Sequence, residues 1–184
     1  MRYRYDYYYG GWPPYVPVAE KRARAQAKIA RLRKKGKSIE PVEINGHAIT
    51  ATFWGKAWCK NLESYSDYSN RLPRGRTYVR NGSVIDLQIS NGKISALVQG
   101  SSLYEVEITI RPIEPARWNS LVKQCSGQIA SLVELLQGKL STNIMKIMTD
   151  PQAGLFPAPK QISLKCSCPD WAEMCKHVAA TLYG

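Results

Sequence analysis

The chain has 184 residues, 44% hydrophobic and 22% charged, with 26 Lys and Arg against 14 Asp and Glu for a formal net charge of +12. That length supports one sizeable core plus a small appendage; no run approaches the ~20 apolar residues of a membrane helix, and no apolar N-terminal stretch resembles a signal peptide. Five cysteines, three of them within ten residues, argue against a disulfide framework and for metal binding in a reducing, cytoplasmic setting.

The charge is uneven. Residues 1–40 hold 11 Lys and Arg against 3 acids, +8, whereas residues 41–184 hold 15 against 11, +4. The basic stretch opens with Arg2, Tyr3, Arg4 and Tyr5, then Tyr7, Tyr8 and Tyr9, before Gly10-Gly11-Trp12-Pro13-Pro14. Such a segment is not expected to fold alone. Its interleaved Arg and Tyr suit stacking on bases with phosphate contact, and suit equally an aromatic strap laid across the protein body.

From Val18 to about Lys35 the composition predicts a helix carrying Lys21, Arg22, Arg24, Lys28, Arg31, Arg33, Lys34 and Lys35, with Gly36 as its stop. Its apolar stripe, Ala23, Ala27, Ile29, Ala30 and Leu32, is narrow. Charge this one-sided is matched by solvent or by an anionic partner, and nucleic acid is the commonest such partner, which makes Lys28, Arg31, Lys34 and Lys35 candidate contacts. Next, Val42 to His47 reads as a short hairpin turning at Asn45-Gly46, and Phe53 to Leu62 as a helix with Trp54, Trp58 and Leu62 on one core-facing side.

The middle of the chain alternates with period two. Thr77 to Arg80 leads through Asn81-Gly82 into Ser83–Ser90, Asn91-Gly92 turns into Lys93–Gln99, and Gly100-Ser101-Ser102 precedes Tyr104–Ile110. This predicts an antiparallel meander with one buried face. A helix from about Ala116 to Gln137, with Trp118, Leu121, Val122, Cys125, Ile129, Leu132, Val133 and Leu136 at helical spacing, is expected to cover that face. Cys125 then reads as a core thiol. Ser141 caps a short helix to about Met148, and Asp150 to Pro159 forms a linker. Strands followed by helices give the α+β class.

The tail carries the most specific signal, Cys166-x-Cys168-x6-Cys175-x-His177. Three thiolates and an imidazole make a closed tetrahedral set of the kind that holds one structural Zn2+, since a catalytic zinc keeps a position open for water. Residues at i and i+2 on a turned segment aim both thiolates at one point. A helix start favours the Cys175 thiolate, Lys165 and Lys176 offset the remaining charge, and a His in the fourth place argues against iron–sulfur. Trp171 is expected to pack over the site.

Chemistry beyond metal binding has little support. Of the two histidines, His177 belongs to the metal set, and a Cys59–His47 nucleophile pair lacks an orienting third group and an oxyanion motif. No Gly-x4-Gly-Lys-Ser/Thr loop is present, so ATP hydrolysis would belong to a partner. Arg71, Arg74, Arg76 and Arg80 crowd around Pro73 and Gly75 in what reads as a loop, where arginine reaches phosphates in bidentate geometry or pairs with Glu63 or Asp67 as ordinary surface.

The tail spacing, with Pro169-Asp170-Trp171 between the pairs and Val178-Ala179-Ala180 after the histidine, resembles the SWIM zinc finger. Gly11-Trp12-Pro13-Pro14-Tyr15-Val16-Pro17, Phe53-Trp54-Gly55-Lys56-Ala57-Trp58-Cys59, Leu72-Pro73-Arg74-Gly75-Arg76 and Gly154-Leu155-Phe156-Pro157-Ala158-Pro159 are similar to bacterial SWIM-finger proteins encoded beside helicase-like chromatin-remodelling ATPases. The resemblance implies a small ββα unit, with the first cysteine pair from a β-turn and Cys175-x-His177 from a helix start. It also implies DNA binding or protein contacts rather than an enzyme fold. The chain stops at Gly184, seven residues after His177, where members of that family usually continue, so a C-terminal truncation or an unusually short member is expected.

The expected organisation is a basic arm with helix over 1–40, an α+β domain over 41–150, and a linker with zinc finger over 151–184. The expected function is a non-enzymatic zinc-binding adaptor that contacts nucleic acid, DNA before RNA, through its backbone and couples it to a remodelling ATPase. The competing expectation is a protein-interaction scaffold whose zinc is purely structural.

Overall fold

The computed structural model describes residues 16–44, 46, 48–65, 70–128 and 140–184. The Tyr-rich arm, Asn45, His47, Asp67 and the second half of the expected 116–137 helix lie outside these residues.

The period-two alternation forms the meander it predicts. Strands β1 (Val84–Ser90), β2 (Lys93–Gln99) and β3 (Leu103–Ile110) pair antiparallel in chain order, with Gly82 and Gly92 at positive φ in the Asn-Gly turns. Consecutive strand residues face opposite sides, so Val84 enters the main core and Ile85 a second cluster on the reverse side, and a bulge between Val84 and Asp86 shifts the alternation so that Leu87 packs on the same core as Val84.

That second cluster is where α1 (Val18–Lys34) docks. Ala25, Ile29 and Leu32, at helical spacing, pack with Ile39 against Ile85, Leu97 and Leu103. Of the expected stripe only Ile29 and Leu32 are buried; Ala23, Ala27 and Ala30 are exposed, and Ala25 completes the docking side instead. Full burial of a side chain such as Ile85 contributes ~1.5–3 kcal/mol. The chain then runs along the outer edge of β1: Leu87 N–H donates to the Glu40 carbonyl at 2.9 Å and Val42 N–H to the Val84 carbonyl at 3.0 Å. No strand spans the described part of the expected 42–47 hairpin. Its backbone groups are taken by β1, which protects an otherwise open sheet edge.

The main core lies on the opposite face. Helix α2 (Phe53–Glu63), capped by Thr52, buries Leu62 fully. Arg74, Arg76 and Arg80 do not sit in a loop: Leu72–Arg80 is a helix, α3, with Arg71 at its N-cap and Pro73 in its first turn, where a missing N–H costs nothing. Gly75 is the point at which a second helix crosses it.

The structure also corrects the expected cover of the sheet. Helix α4 (Pro115–Cys125) packs instead against α5 (Thr142–Met148), whose N-cap is Ser141 as expected, and leaves Trp118 48% exposed. The cover is the C-terminal helix α6 (Lys176–Tyr183), with every residue from His177 to Tyr183 buried among Leu62, Val79, Val98, Val106 and Ile108. A short helix that is apolar nearly all round belongs in a core, whereas α4 has one polar side.

Nor is the tail an appended ββα unit. Strand β4 (Ile162–Cys166) pairs antiparallel with β3 from Ile110↔Ile162 to Val106↔Cys166, completing a four-stranded sheet of order β1-β2-β3-β4. Residues 150–159 form a packed loop rather than a linker. Phe156 meets Trp58 edge-on at 5.4 Å, Tyr65 donates to the Pro157 carbonyl at 2.5 Å, and Arg117 donates to the Gly154 carbonyl. The fold is α+β, with the C-terminal segment as its keystone.

Candidate metal centre

Cys166 ends β4, and the turn after it is fastened to the neighbouring strand. Ser167 N–H donates to the Glu105 carbonyl at 3.0 Å, and Glu105 N–H donates to the Ser167 Oγ at 2.9 Å. This clasp holds the Cys166 and Cys168 sulfurs on one side of the turn. Cys175 occupies the N-cap position of α6 and His177 its first turn, as the spacing implies. Between the pairs, the Asp170 carboxylate accepts from the Ala172 N–H at 3.2 Å and forms an ion pair with Arg71 at 3.1 Å, which pins the intervening loop to the start of α3.

The three Sγ atoms and one imidazole nitrogen lie within 4.8 Å of one another, and the His177 Nδ1 is 3.8 Å from both the Cys166 and Cys175 sulfurs. A tetrahedral ion with bonds of ~2.3 Å to sulfur has edges of ~3.8 Å, so the spacing fits one ion bound by all four groups.

The environment of His177 tests that fit independently. The residue is 2% exposed, its ring stacked on Tyr104 at 4.3 Å and met edge-on by Tyr78 at 5.4 Å. Its Nε2 has no hydrogen-bond partner among the described residues, and Nδ1 faces only sulfurs. A buried imidazole so poorly served by hydrogen bonds is costly; an ion among the sulfurs would serve Nδ1, while Nε2 would carry the proton and still have no partner among the described residues. Gly100 supplies the room: a Cβ there would sit 3.0 Å from Nε2 and 2.9 Å from Tyr104.

Charge is already polarised for metal. The Cys175 thiol is held down to about 3, chiefly because its sulfur accepts a hydrogen bond from Cys166, with help from His177 and the Val178 N–H. Cys166 is pushed up for the reciprocal reason, since it is the donor. An ion that takes both sulfurs replaces the shared proton.

Trp171 departs from expectation. It is 92% exposed, so it does not cover the site; the cover is Tyr78 from α3 with Tyr104 and the Gly100 backbone from around the β2–β3 turn, two segments distant in sequence from the ligands. Cys59 has its thiol pushed up by burial and by Glu63, which opposes nucleophile character.

The expected nucleic-acid contacts divide into two groups. Arg71 holds Asp170, while Arg76 pairs with Glu63 and donates to the Tyr183 hydroxyl at 3.1 Å, so both are tied to the tail. Arg74 and Arg80 are exposed, as are Arg31 and Lys34 on α1 and Lys35 at its C-cap, with Lys28 half-buried. The structure brings Arg80 beside α1, where the Arg22 guanidinium donates to its carbonyl at 3.0 Å.

Among the described residues, no helix is long and apolar enough to cross a membrane. No family model and no solved structure matches the chain. A curated relative is the uncharacterized protein Rv2102 of Mycobacterium tuberculosis, 37% identical over 139 residues, 74% of this chain. The chain spans about half the length of that relative, the match covering 50% of it.

Proposed function

We propose that the chain is a non-enzymatic zinc-binding adaptor that engages the phosphate backbone of nucleic acid, DNA before RNA, and couples it to a remodelling-type ATPase. Zinc is the ion because the donors are three thiolates and one imidazole, all from the chain, in a buried site that keeps no place for a reacting water. Its role is structural: the ligands tie β4 to α6, and α6 covers the sheet.

The observation that carries the nucleic-acid reading is the exposed basic side of α1 near its C-terminal end. Because Ala25, Ile29 and Leu32 fix one side of α1 to the sheet, Arg31, Lys34 and Lys35 are held toward solvent, and the Arg22–Arg80 contact ties the end of α3 to the N-terminal half of the same helix. A rigid row of cations matches phosphates at low entropic cost. The ATPase partner is inferred from the resemblance of the sequence to SWIM-finger proteins.

The test is a titration of metal-loaded protein with duplex DNA, single-stranded DNA and RNA across salt concentrations. Affinity should fall linearly on a log–log scale, by ~0.9 per phosphate contact on duplex. No binding at low salt overturns the nucleic-acid reading.

The protein-scaffold reading draws on Trp118 and Val122, which α4 leaves 48% and 47% exposed. Partner capture that survives nuclease treatment and charge reversal on α1 favours it.

A further inference from the structure

The two edges of the sheet differ. The outer edge of β1 is closed by hydrogen bonds to residues 40–42, whereas β4 forms the other edge with no strand beyond it among the described residues. Ser167 N–H donates to the Glu105 carbonyl and Arg111 N–H to the Gln161 carbonyl at 2.9 Å. In this antiparallel register the odd-numbered residues of β4 turn their backbone groups toward β3, and the even-numbered ones turn theirs outward. The Ile162 N–H is taken by the Pro159 carbonyl in the turn that leads into the strand. The Ile162 carbonyl and both backbone groups of Leu164 have no partner among the described residues. Edges are ordinarily blunted by bulges, prolines or a covering segment, yet β4 pairs in unbroken register and contains no proline. A cleft of about 460 Å³ is lined by Ile162, Ser163 and Leu164 together with Glu173 from the loop between the two ligand pairs, which leaves space along this strand.

The charges around the edge select what pairs with it. Arg111 and Lys160 line the same cleft and are exposed. Lys165, its side chain 75% exposed, comes no closer than 4.0 Å to Glu107, whose carboxylate is held by Lys93. Three cations against Glu173 disfavour a basic strand, and a second copy of a chain of net charge +12 would bring its own Lys165 to the same edge. An acidic strand is complementary. Because side chains alternate, one set from an added strand would lie beside the half-buried Ile162 and Leu164, and the other beside Ser163 and Lys165. We propose that β4 is a docking edge that takes an extended segment of a partner protein as a fifth strand, apolar at one set of alternate positions and acidic at the other, held by main-chain hydrogen bonds to Ile162 and Leu164. This partner surface goes beyond the nucleic-acid reading and does not depend on it.

The probe is a synthetic peptide, acetyl-Thr-Glu-Val-Glu-Val-Glu-Thr-amide, added to the metal-loaded full chain and followed by amide resonances and calorimetry. In the free protein the Leu164 amide should exchange with solvent faster than those of Ser163 and Lys165, which bond to β3. Slow exchange at Leu164 means that the chain already covers this edge and overturns the proposal. With peptide, the Leu164 amide should shift and become protected; shifts confined to other surfaces, or none at millimolar peptide, overturn it. Leu164→Pro removes an outward N–H without breaking a bond to β3 and should weaken the peptide about tenfold or more. Because that variant also loses a half-buried side chain, the same contrast is made on the peptide: methylating the amide nitrogens that face β4 should abolish binding to wild type, and equal affinity overturns the proposal. Lys160→Glu, at an exposed position, should weaken the peptide about threefold, and a version with Lys in place of Glu should bind wild type more weakly still; affinity indifferent to both charges overturns the acidic partner. A dimer that Leu164→Pro disperses in sedimentation, with no peptide bound by wild type, overturns the proposal in favour of a second copy.

Discussion

Replacing Gly75 by alanine probes the crossing of α3 over α6 directly. A methyl there would lie 2.5 Å from the Ala179 Cβ, 2.8 Å from the Ala179 carbonyl carbon and 2.9 Å from the Ala180 nitrogen. Two of these are backbone atoms, so no rotamer change relieves the overlap. Against the ~3.5–4.0 Å of ordinary carbon contact, the helices must part by about 1 Å. Overpacking of this kind costs ~1–3 kcal/mol or more, and the helical preference of alanine over glycine returns only ~0.5–1 kcal/mol. A net loss of ~1–2 kcal/mol lowers Tm by ~2–8 °C in a chain of this size. Because Cys175 and His177 open the displaced helix, metal affinity should fall as well. Circular dichroism melts with and without chelator, and competition with a chromogenic chelator, read both effects. A Gly75→Ala variant that melts at or above the wild-type temperature would refute the close crossing.

Gly100→Ala should weaken metal binding without touching a ligand, since the new methyl meets the Tyr104 and His177 rings; unchanged metal affinity in a competition assay counts against the ring cradle. Stripping the metal should dissolve the fold rather than a peripheral knot, because α6 is core: near-ultraviolet signals from Trp58, whose Nε1 donates to the Leu182 carbonyl at 2.7 Å, should collapse together with helix content. Native-like signals in metal-free protein would contradict that. Arg71→Ala should reduce metal affinity more than duplex affinity, as its ion pair with Asp170 is partly buried. Reversing Arg31, Lys34 and Lys35 to Glu should lower the salt slope by ~0.9 for each duplex phosphate lost and leave Tm nearly unchanged.

What the sequence made legible was local. Alternation over Ser83–Ile110 and the Asn91-Gly92 turn specify the meander because period two and positive φ are decided within a few residues. The metal ligands are legible for the same reason, three falling within ten residues. Strand β4 carries a weaker signal, the alternation of Ile162, Leu164 and Cys166, which becomes a strand only because β3 offers an edge. The helix that covers the sheet is decided by tertiary competition: the stripe on α4 suggests a cover, yet α6 takes the place, tethered by its ligands and apolar nearly all round. Pro73 and Gly75 look like loop chemistry until the crossing helix is seen, since glycine serves there for close approach rather than for a turn. Trp171 misleads through the usual link between large aromatics and burial.

The pairing of Ile110 with Ile162 has a consequence for synthesis. A ribosome completes the three-stranded meander before it begins the strand and helix that hide its apolar side, and at ~5–20 residues per second the intervening stretch takes several seconds. During that interval the nascent chain carries a half-built sheet with an unpaired rim. On the proposed zinc reading, capture of the ion is the event that closes it, so metal-starved cells should lose newly made protein to aggregates while leaving molecules already assembled intact.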